Sequence, residues 1–374
     1  MHHDALQIPR VRFARSIRSL AATMLLPLSV AAAAAEKLPA LGVVRDETSV
    51  SGISSGGAMA VQFGVAHSSI VIGVGVIAGA PYGCADNAAA TALGACMEGN
   101  EPIDVSRLVQ RTRQRAADGR IDSLATLARQ RVWLFSGGSD TVVRAPVYTA
   151  LKDYYRNLLS AGHVELVSIS QAQHAMPTPG FGNPCGWKGE PYISACGTES
   201  PQHADAAGAL LNWIYPSLVP PAVTPSGRLV EFDQSEFIPA PQSHSMNDTA
   251  WMYVPEDCIT SVGCRVHVAL HGCMQYPRHE YFADNRFRKI GSTFVEHAGY
   301  NRWADANRIV VYPQTNARPL ALWELWMPWR YQRANPYGCW DWWGYDGNDY
   351  DTRAGSQIQA IRKMIDRLAE PALR

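Results

Sequence analysis

Short apolar runs recur along the chain, separated by stretches long enough to hold a helix. Residues 70–77 (Ile-Val-Ile-Gly-Val-Gly-Val-Ile) and 132–135 (Val-Trp-Leu-Phe) carry continuous apolar or β-branched character rather than alternation, and 164–169 (Val-Glu-Leu-Val-Ser-Ile) is largely apolar. Runs of that kind predict strands buried on both faces, as in a parallel sheet. Between and after them, residues 149–159 and 206–215 have helical length and pattern. Upstream, Val43, Val44, Thr48, Val50 and Ile53 supply an entering strand, and the small and apolar residues 57–63 open a helix against it. A proline-rich connector at 216–226 follows, after which strand signals resume at 229–232, 250–254, 265–270 and 309–312. An amphipathic helix near 358–368 closes the chain.

This order of elements predicts an α/β architecture with a mostly parallel sheet flanked by helices. Two domains divided near residue 220 are one solution. A single domain over 36–374, with the connector joining its halves, is preferred because each half alone holds few strands and the candidate chemistry is shared between them.

The N-terminus changes the picture of location. Arg10, Arg12, Arg15 and Arg18 precede an apolar run over 20–30 and a string of alanines ending at Ala35, the order of a secretory signal. Residues 1–35 are therefore expected to be removed, with secretion to the periplasm or medium. An uncleaved anchor is the alternative, against which Pro27 interrupts the run. Removal leaves 29 basic against 32 acidic side chains, a formal charge of −3. Such a balance gives no reason to seek nucleic acid or an anionic membrane and suits an uncharged substrate. A monomer is expected.

All eight cysteines lie in the exported part: Cys84, Cys96, Cys185, Cys196, Cys258, Cys264, Cys273 and Cys339. An even number in an oxidising compartment predicts disulfides. Sequence proximity favours Cys84–Cys96, Cys185–Cys196 and Cys258–Cys264, which leaves Cys273–Cys339. Without a Cys-x-x-Cys pair or compact Cys/His cluster, no structural metal is expected. The acidic run 346–351 matches no calcium loop and reads as a solvated turn.

The candidate chemistry begins at Gly52-Ile53-Ser54-Ser55-Gly56, a G-x-S-x-G between strand and helix that would expose the Ser54 hydroxyl. Ser55 would need glycine at 53, where isoleucine stands. A serine nucleophile needs a histidine base, and that histidine a carboxylate, in the order Ser, Asp, His along an α/β-hydrolase chain. Asp140 follows the 132–135 run within Ser-Gly-Gly-Ser-Asp, and His174 follows the 164–169 run. Asp122, Asp153, His67 and His163 are further candidates that lack this position beyond a strand end. The Ser55 amide would supply one half of the oxyanion hole. The other would come from the His271-Gly272-Cys273 loop through the Cys273 amide. That loop normally precedes the nucleophile, and here it follows His174, so a circularly permuted hydrolase is expected.

With these residues in view, the chain resembles the extracellular short-chain polyhydroxyalkanoate depolymerases with a single, circularly permuted α/β-hydrolase domain. The resemblance rests on Gly-Ile-Ser-Ser-Gly-Gly at 52–57, Gly-Gly-Ser-Asp at 137–140, Gln-His-Ala-Met-Pro at 173–177, Leu-His-Gly-Cys-Met-Gln at 270–275 and Gly-Cys-Trp-Asp-Trp-Trp-Gly-Tyr at 338–345. It implies Ser54, Asp140 and His174 as the triad, Ser55 and Cys273 as oxyanion donors, and Trp340 as an aromatic touching substrate. No cofactor is implied. The expected substrate is poly(3-hydroxybutyrate) or its oligomers, with a generic carboxylesterase, feruloyl-type or acting on another polyester, as the alternative. An aromatic-rich binding module is a further reading. Many such depolymerases append a polymer-binding domain, which puts grip on solid polymer in question; the cluster Trp323, Trp326, Trp329, Trp340, Trp342 and Trp343 offers aromatics either for adsorption or for the core.

Overall fold

The apolar runs assemble as a nine-stranded sheet in the computed structural model, which describes residues 35–216, 218–239, 245–306, 308–315 and 334–372. The expected signal segment, up to residue 34 of its 1–35, and Trp323, Trp326 and Trp329 lie outside the described residues. Its strands are β1 (Glu36–Lys37), β2 (Val44–Ile53), β3 (Val71–Ile77), β4 (Arg131–Gly137), β5 (Val164–Ile169), β6 (Arg228–Asp233), β7 (Thr249–Val254), β8 (Arg265–Leu270) and β9 (Arg308–Tyr312). The order across the sheet is β1-β6-β7-β9-β8-β2-β3-β4-β5. From β9 to β5 every pairing is parallel, and β7 runs antiparallel to both β6 and β9. The seam between chain halves is β8 against β2, with Leu270 opposite Gly52. Strands from before and after the connector thus share one sheet, within a unit spanning Ala35–Arg374.

Five helices matter for the site: α1 (Ser55–Ala66), α2 (Val105–Ala117), α3 (Ala145–Arg156), α4 (Ala206–Ile214) and α5 (Ser356–Ala369). Every residue of α1 is buried, so it has no solvent face and reads as small and apolar throughout. The glycines of β3 let α4 come close. A Cβ on Gly73 would lie 2.4 Å from the Ile214 side chain, and one on Gly75 3.0 Å from that of Leu210. Val74 points the other way, since a Cβ on Gly64 of α1 would meet it at 2.6 Å. Hence α1 and α4 cover opposite faces of β3.

The sequence pattern gave no helix at α2, whose apolar face is thin. Leu108, Val109, Thr112 and Arg115 are its buried residues, and Asp104 caps it by accepting from the Arg107 N–H at 3.0 Å. Arg115 pairs with Asp351, which is 0% exposed. That pair corrects the solvated-turn reading of 346–351. Asp349 is exposed and pairs with Arg120, but Asp346 takes the Ser356 hydroxyl and Asp351 is enclosed by the Arg115 guanidinium it neutralises.

The eight cysteines form four disulfides: Cys84–Cys96, Cys185–Cys196, Cys258–Cys264 and Cys273–Cys339. The first three close loops of 12, 11 and 6 residues, and the fourth spans 66.

Candidate active site

The chain leaves β2 and enters α1 through a single residue, Ser54, with φ 57° and ψ −122°. A non-glycine residue in that region is strained, and the surroundings must hold it there. They do so through backbone packing. Ser54 N–H donates to Ile77 O at 2.9 Å, and Ser54 O accepts from Ala58 N–H at 2.9 Å. A Cβ on Gly52 would sit 2.3 Å from Gly56 O, and one on Gly56 would sit 2.3 Å from His271 O. The glycines flanking the serine are therefore required by contact with each other and with the end of β8.

Asp140 and His174 meet because the loops after β4 and β5 lie against one another. Gly138 N–H donates to Ile169 O at 2.9 Å and Ser139 N–H to Ala172 O at 3.0 Å. Gly137 leaves no room for a side chain, since a Cβ there would meet Ala172 O at 2.4 Å. His174 Nδ1 and Asp140 Oδ2 are 2.8 Å apart, with both side chains almost fully enclosed. Asp140 Oδ1 accepts from the Val142 and Val143 N–H groups at 2.7 and 3.0 Å, which orients the carboxylate. With Nδ1 donating to Asp140, Nε2 is the nitrogen left to accept a proton. The other candidates lie elsewhere: His67 beside Arg362, His163 on Gln130 O, Asp122 on Ser69 and Arg353, and Asp153 beside Lys152. Burial pushes the His67 imidazole down to about 4.

The loop after β8 passes over the elbow. A Cβ on Gly272 would lie 3.3 Å from Ser54 Cβ. His271 Nδ1 is 2.7 Å from Gly272 O, and its Nε2 accepts from Thr315 N–H at 3.2 Å, so the proton sits on Nδ1. The Cys273–Cys339 disulfide and a Met274 N–H to Tyr337 O bond of 2.8 Å tie the loop to the 334–345 segment. Among the described residues, no acceptor takes the Ser55 or the Cys273 amide N–H. Both residues line the same cavity as Ser54 and His174. Amide donors at a cavity wall with no protein acceptor fit a role toward a bound oxyanion.

That cavity has a volume of about 420 Å³, and its walls are mainly apolar, with Ala58, Ala92, Leu93, Met97, Val142 and Val143 among the lining residues. Trp342 and Trp343 line it too, in an edge-to-face pair 5.9 Å between centroids. Trp340, which the resemblance offered as the substrate-touching aromatic, is 0% exposed and absent from the lining. Its indole N–H donates to His271 O at 3.1 Å and its amide N–H to Ser55 Oγ at 3.3 Å. Trp340 thus packs against the elbow through Ser55 and His271, and of these three tryptophans Trp342 and Trp343 line the cavity. The segment that carries them has no helix or strand, so no periodic signal tells them apart.

Sequence reasoning also passed over His267, Gln275 and Tyr192. His267 on β8 spans 2.7 Å to Ser49 Oγ and 2.8 Å to Ser51 Oγ on β2, and Ser51 Oγ reaches Tyr300 OH at 2.7 Å. Burial holds the His267 imidazole down to about 3 and that of His271 down to about 4, so both are neutral. A histidine amid β-branched residues in 265–270 was the available signal. Gln275 lies within the quoted Leu-His-Gly-Cys-Met-Gln motif, whereas nothing local marks Tyr192.

No protein-family model matches the chain. It is 41% identical over 342 residues to a poly(3-hydroxybutyrate) depolymerase of Delftia acidovorans, an alignment covering 90% of this chain and 62% of that protein. The chain thus spans less than two thirds of that relative's length. It is 38% identical over 347 residues to a polyhydroxybutyrate depolymerase of Talaromyces funiculosus, covering 90% of this chain and 94% of the other. The crystal structure of the PHB depolymerase from Penicillium funiculosum superposes with a TM-score of 0.75 at 35% identity, over 89% of this chain and 98% of that one. A serine-to-alanine variant of a PHB depolymerase, complexed with an R3HB trimer, matches with the same TM-score at 34% identity. By sequence over nearly its whole described length, and by the fold beneath it, the chain belongs to the polyhydroxybutyrate depolymerases, serine hydrolases of carboxylic esters.

Proposed function

We propose that this protein hydrolyses poly(3-hydroxybutyrate) or its oligomers through an acyl-enzyme on Ser54. Ser54 Oγ attacks the ester carbonyl as His174 Nε2 takes its proton, and Asp140 stabilises the resulting imidazolium. Negative charge on the carbonyl oxygen is met by the Ser55 and Cys273 amides. His174 then gives its proton to the departing hydroxyl, the C–O bond breaks, and water releases the hydroxyacid by the same route. Trp342 and Trp343, rather than Trp340, are the aromatics toward the chain. The observation that carries the reading is the strained Ser54 in an apolar cavity that it shares with His174 and the Cys273 loop.

The trimer complex of the related enzyme supports oligomers as ligands here. Four disulfides support maturation in an oxidising compartment, with residues 1–35 as the export signal and 36–374 as one catalytic domain acting as a monomer. The test is clearing of a poly(3-hydroxybutyrate) granule suspension, with hydroxybutyrate oligomers and p-nitrophenyl butyrate run alongside. Clearing that disappears with Ser54→Ala is expected. Turnover of the aryl ester alone would sink the polyester assignment.

A further inference from the structure

We propose that Gln275 is a positioning residue that keeps the oxyanion loop in register with the loop of the catalytic histidine. This rests on reading Ser55 and Cys273 as the oxyanion donors. The two ends of the side chain face different parts of the site. Oε1 accepts from Gly272 N–H at 2.7 Å, while Nε2 donates to Pro191 O at 2.8 Å and Tyr192 O at 3.3 Å. Tyr192 O also accepts from Met176 N–H at 2.9 Å, two residues beyond His174. The Tyr192 ring stands edge-on to the His174 imidazole, 6.4 Å between centroids. A continuous path of hydrogen bonds therefore runs from the oxyanion loop to the histidine loop, with one amide side chain in its middle.

Peptide geometry explains why this grip matters. The Cys273 N–H belongs to a planar trans unit whose carbonyl is that of Gly272, so the two point in opposite directions. Whatever holds Gly272 O also aims the Cys273 N–H. Gly272 O accepts from His271 Nδ1–H at 2.7 Å and from Gln275 N–H at 3.3 Å. Gln275 thus grips residue 272 twice, by its backbone on the carbonyl and by its side chain on the amide. A side chain at 272 would crowd Gln275 and Ser54, and the glycine found there does little to restrict its own backbone. The rigidity of the loop must come from neighbours, and Gln275, 1% exposed, supplies it. Oxyanion donors act through prior alignment, so a loosened loop weakens the transition state more than the bound ester.

The test is steady-state kinetics on p-nitrophenyl butyrate for Gln275→Met and Gln275→Glu, with thermal midpoints and Ser54→Ala alongside. Met keeps the volume and removes both grips of the side chain. Glu keeps the acceptor for Gly272 and loses the donor to Tyr192, which carries the test should the Met variant fail to fold. The expected result is a kcat lower by about 10–100-fold with KM within about twofold, and a larger loss for Met than for Glu. A kcat within about twofold of the parent in folded variants, or a raised KM with unchanged kcat, would reduce Gln275 to packing and overturn the proposal. An active Ser54→Ala would overturn the catalytic reading beneath it. An inactive Ser54→Ala with unimpaired Gln275 variants would overturn the positioning role alone.

Discussion

The two sides of the site are held by different means. On the side of the proposed triad, Ser54, Asp140 and His174 each follow the carboxyl end of a parallel strand, and the strands fix their spacing through adjacent ladders. Contacts between adjoining loops add to this, with the Val142 and Val143 amides on Asp140 and the Gly138 and Ser139 amides on Ile169 and Ala172. On the oxyanion side, the 271–275 loop has only one strand behind it. Its position depends on partners remote in sequence: Cys339 through a disulfide, Tyr337 through a backbone bond, Thr315 on His271, and Tyr192 through Gln275. Sheet registry resists small perturbations, whereas single cross-links fail one at a time. The triad should therefore survive changes that disable the oxyanion side.

The largest effect is expected from Ser54→Ala, a loss of kcat on the order of 10⁵–10⁶-fold on p-nitrophenyl butyrate, because it removes the proposed nucleophile. Circular dichroism should remain that of the parent. Asp140→Asn should follow, with a loss of about 10³–10⁴-fold, since an amide cannot hold the Nδ1–H tautomer in the same way. Retention of more than a tenth of the parent kcat would detach Asp140 from the triad.

Disulfide removal sharpens the contrast directly. A Cys273→Ser, Cys339→Ser double variant should lower kcat by about 10–100-fold, comparable to misaligning an oxyanion donor. The 66-residue loop that it opens should cost about 4 kcal/mol of stability. Opening Cys258–Cys264, which closes only 6 residues, should cost about 2 kcal/mol and leave kcat within about twofold. Equal kinetic damage from both would show that the loop has no special dependence on its bridge. A smaller effect is expected at the cavity wall, where Trp343→Ala should raise KM by about 3–10-fold with little change in kcat, while Trp340→Phe should act mainly on stability.

The least visible difference lies beneath the site. His267 and His271 carry folded values of about 3 and about 4, below the ordinary 6.5. The unfolded chain therefore binds protons that the folded chain refuses, so the stability is fully present above about pH 6.5 and is lost as pH falls toward 4. Each contributes roughly 2–3 kcal/mol to the decline by about pH 4.5. Urea midpoints measured across this range should fall, and His267→Gln should flatten the slope. An unchanged slope would mean that the ring is protonated inside the fold.

Much of this was legible in the residues. Continuous apolar runs are a direct record of strands buried on both faces, and β3 and β4 fall where those runs stand, with β5 and β8 at the less regular apolar segments. The elbow was legible because a strained serine between strand and helix demands glycine at 52 and 56, a chemical constraint written into one short segment. Pairing of nearby cysteines followed from loop length. Helix α2 was not legible, because its buried stripe includes Thr112 and Arg115, whose burial depends on Tyr154 and Asp351 from distant segments.

The sequence by itself determined the local chemistry: which serine could sit in an elbow, which carboxylate and imidazole follow strand ends, and which cysteines could pair. Only the tertiary structure decided which two of three neighbouring tryptophans face the cavity, which aspartate of an acidic run is enclosed with an arginine, and that Gln275 bridges the loops of Gly272 and Tyr192. The physical reason is range. Backbone preference and strand burial act over a few residues and leave a pattern, whereas side-chain contacts between segments tens to hundreds of residues apart leave none until the chain has closed on itself.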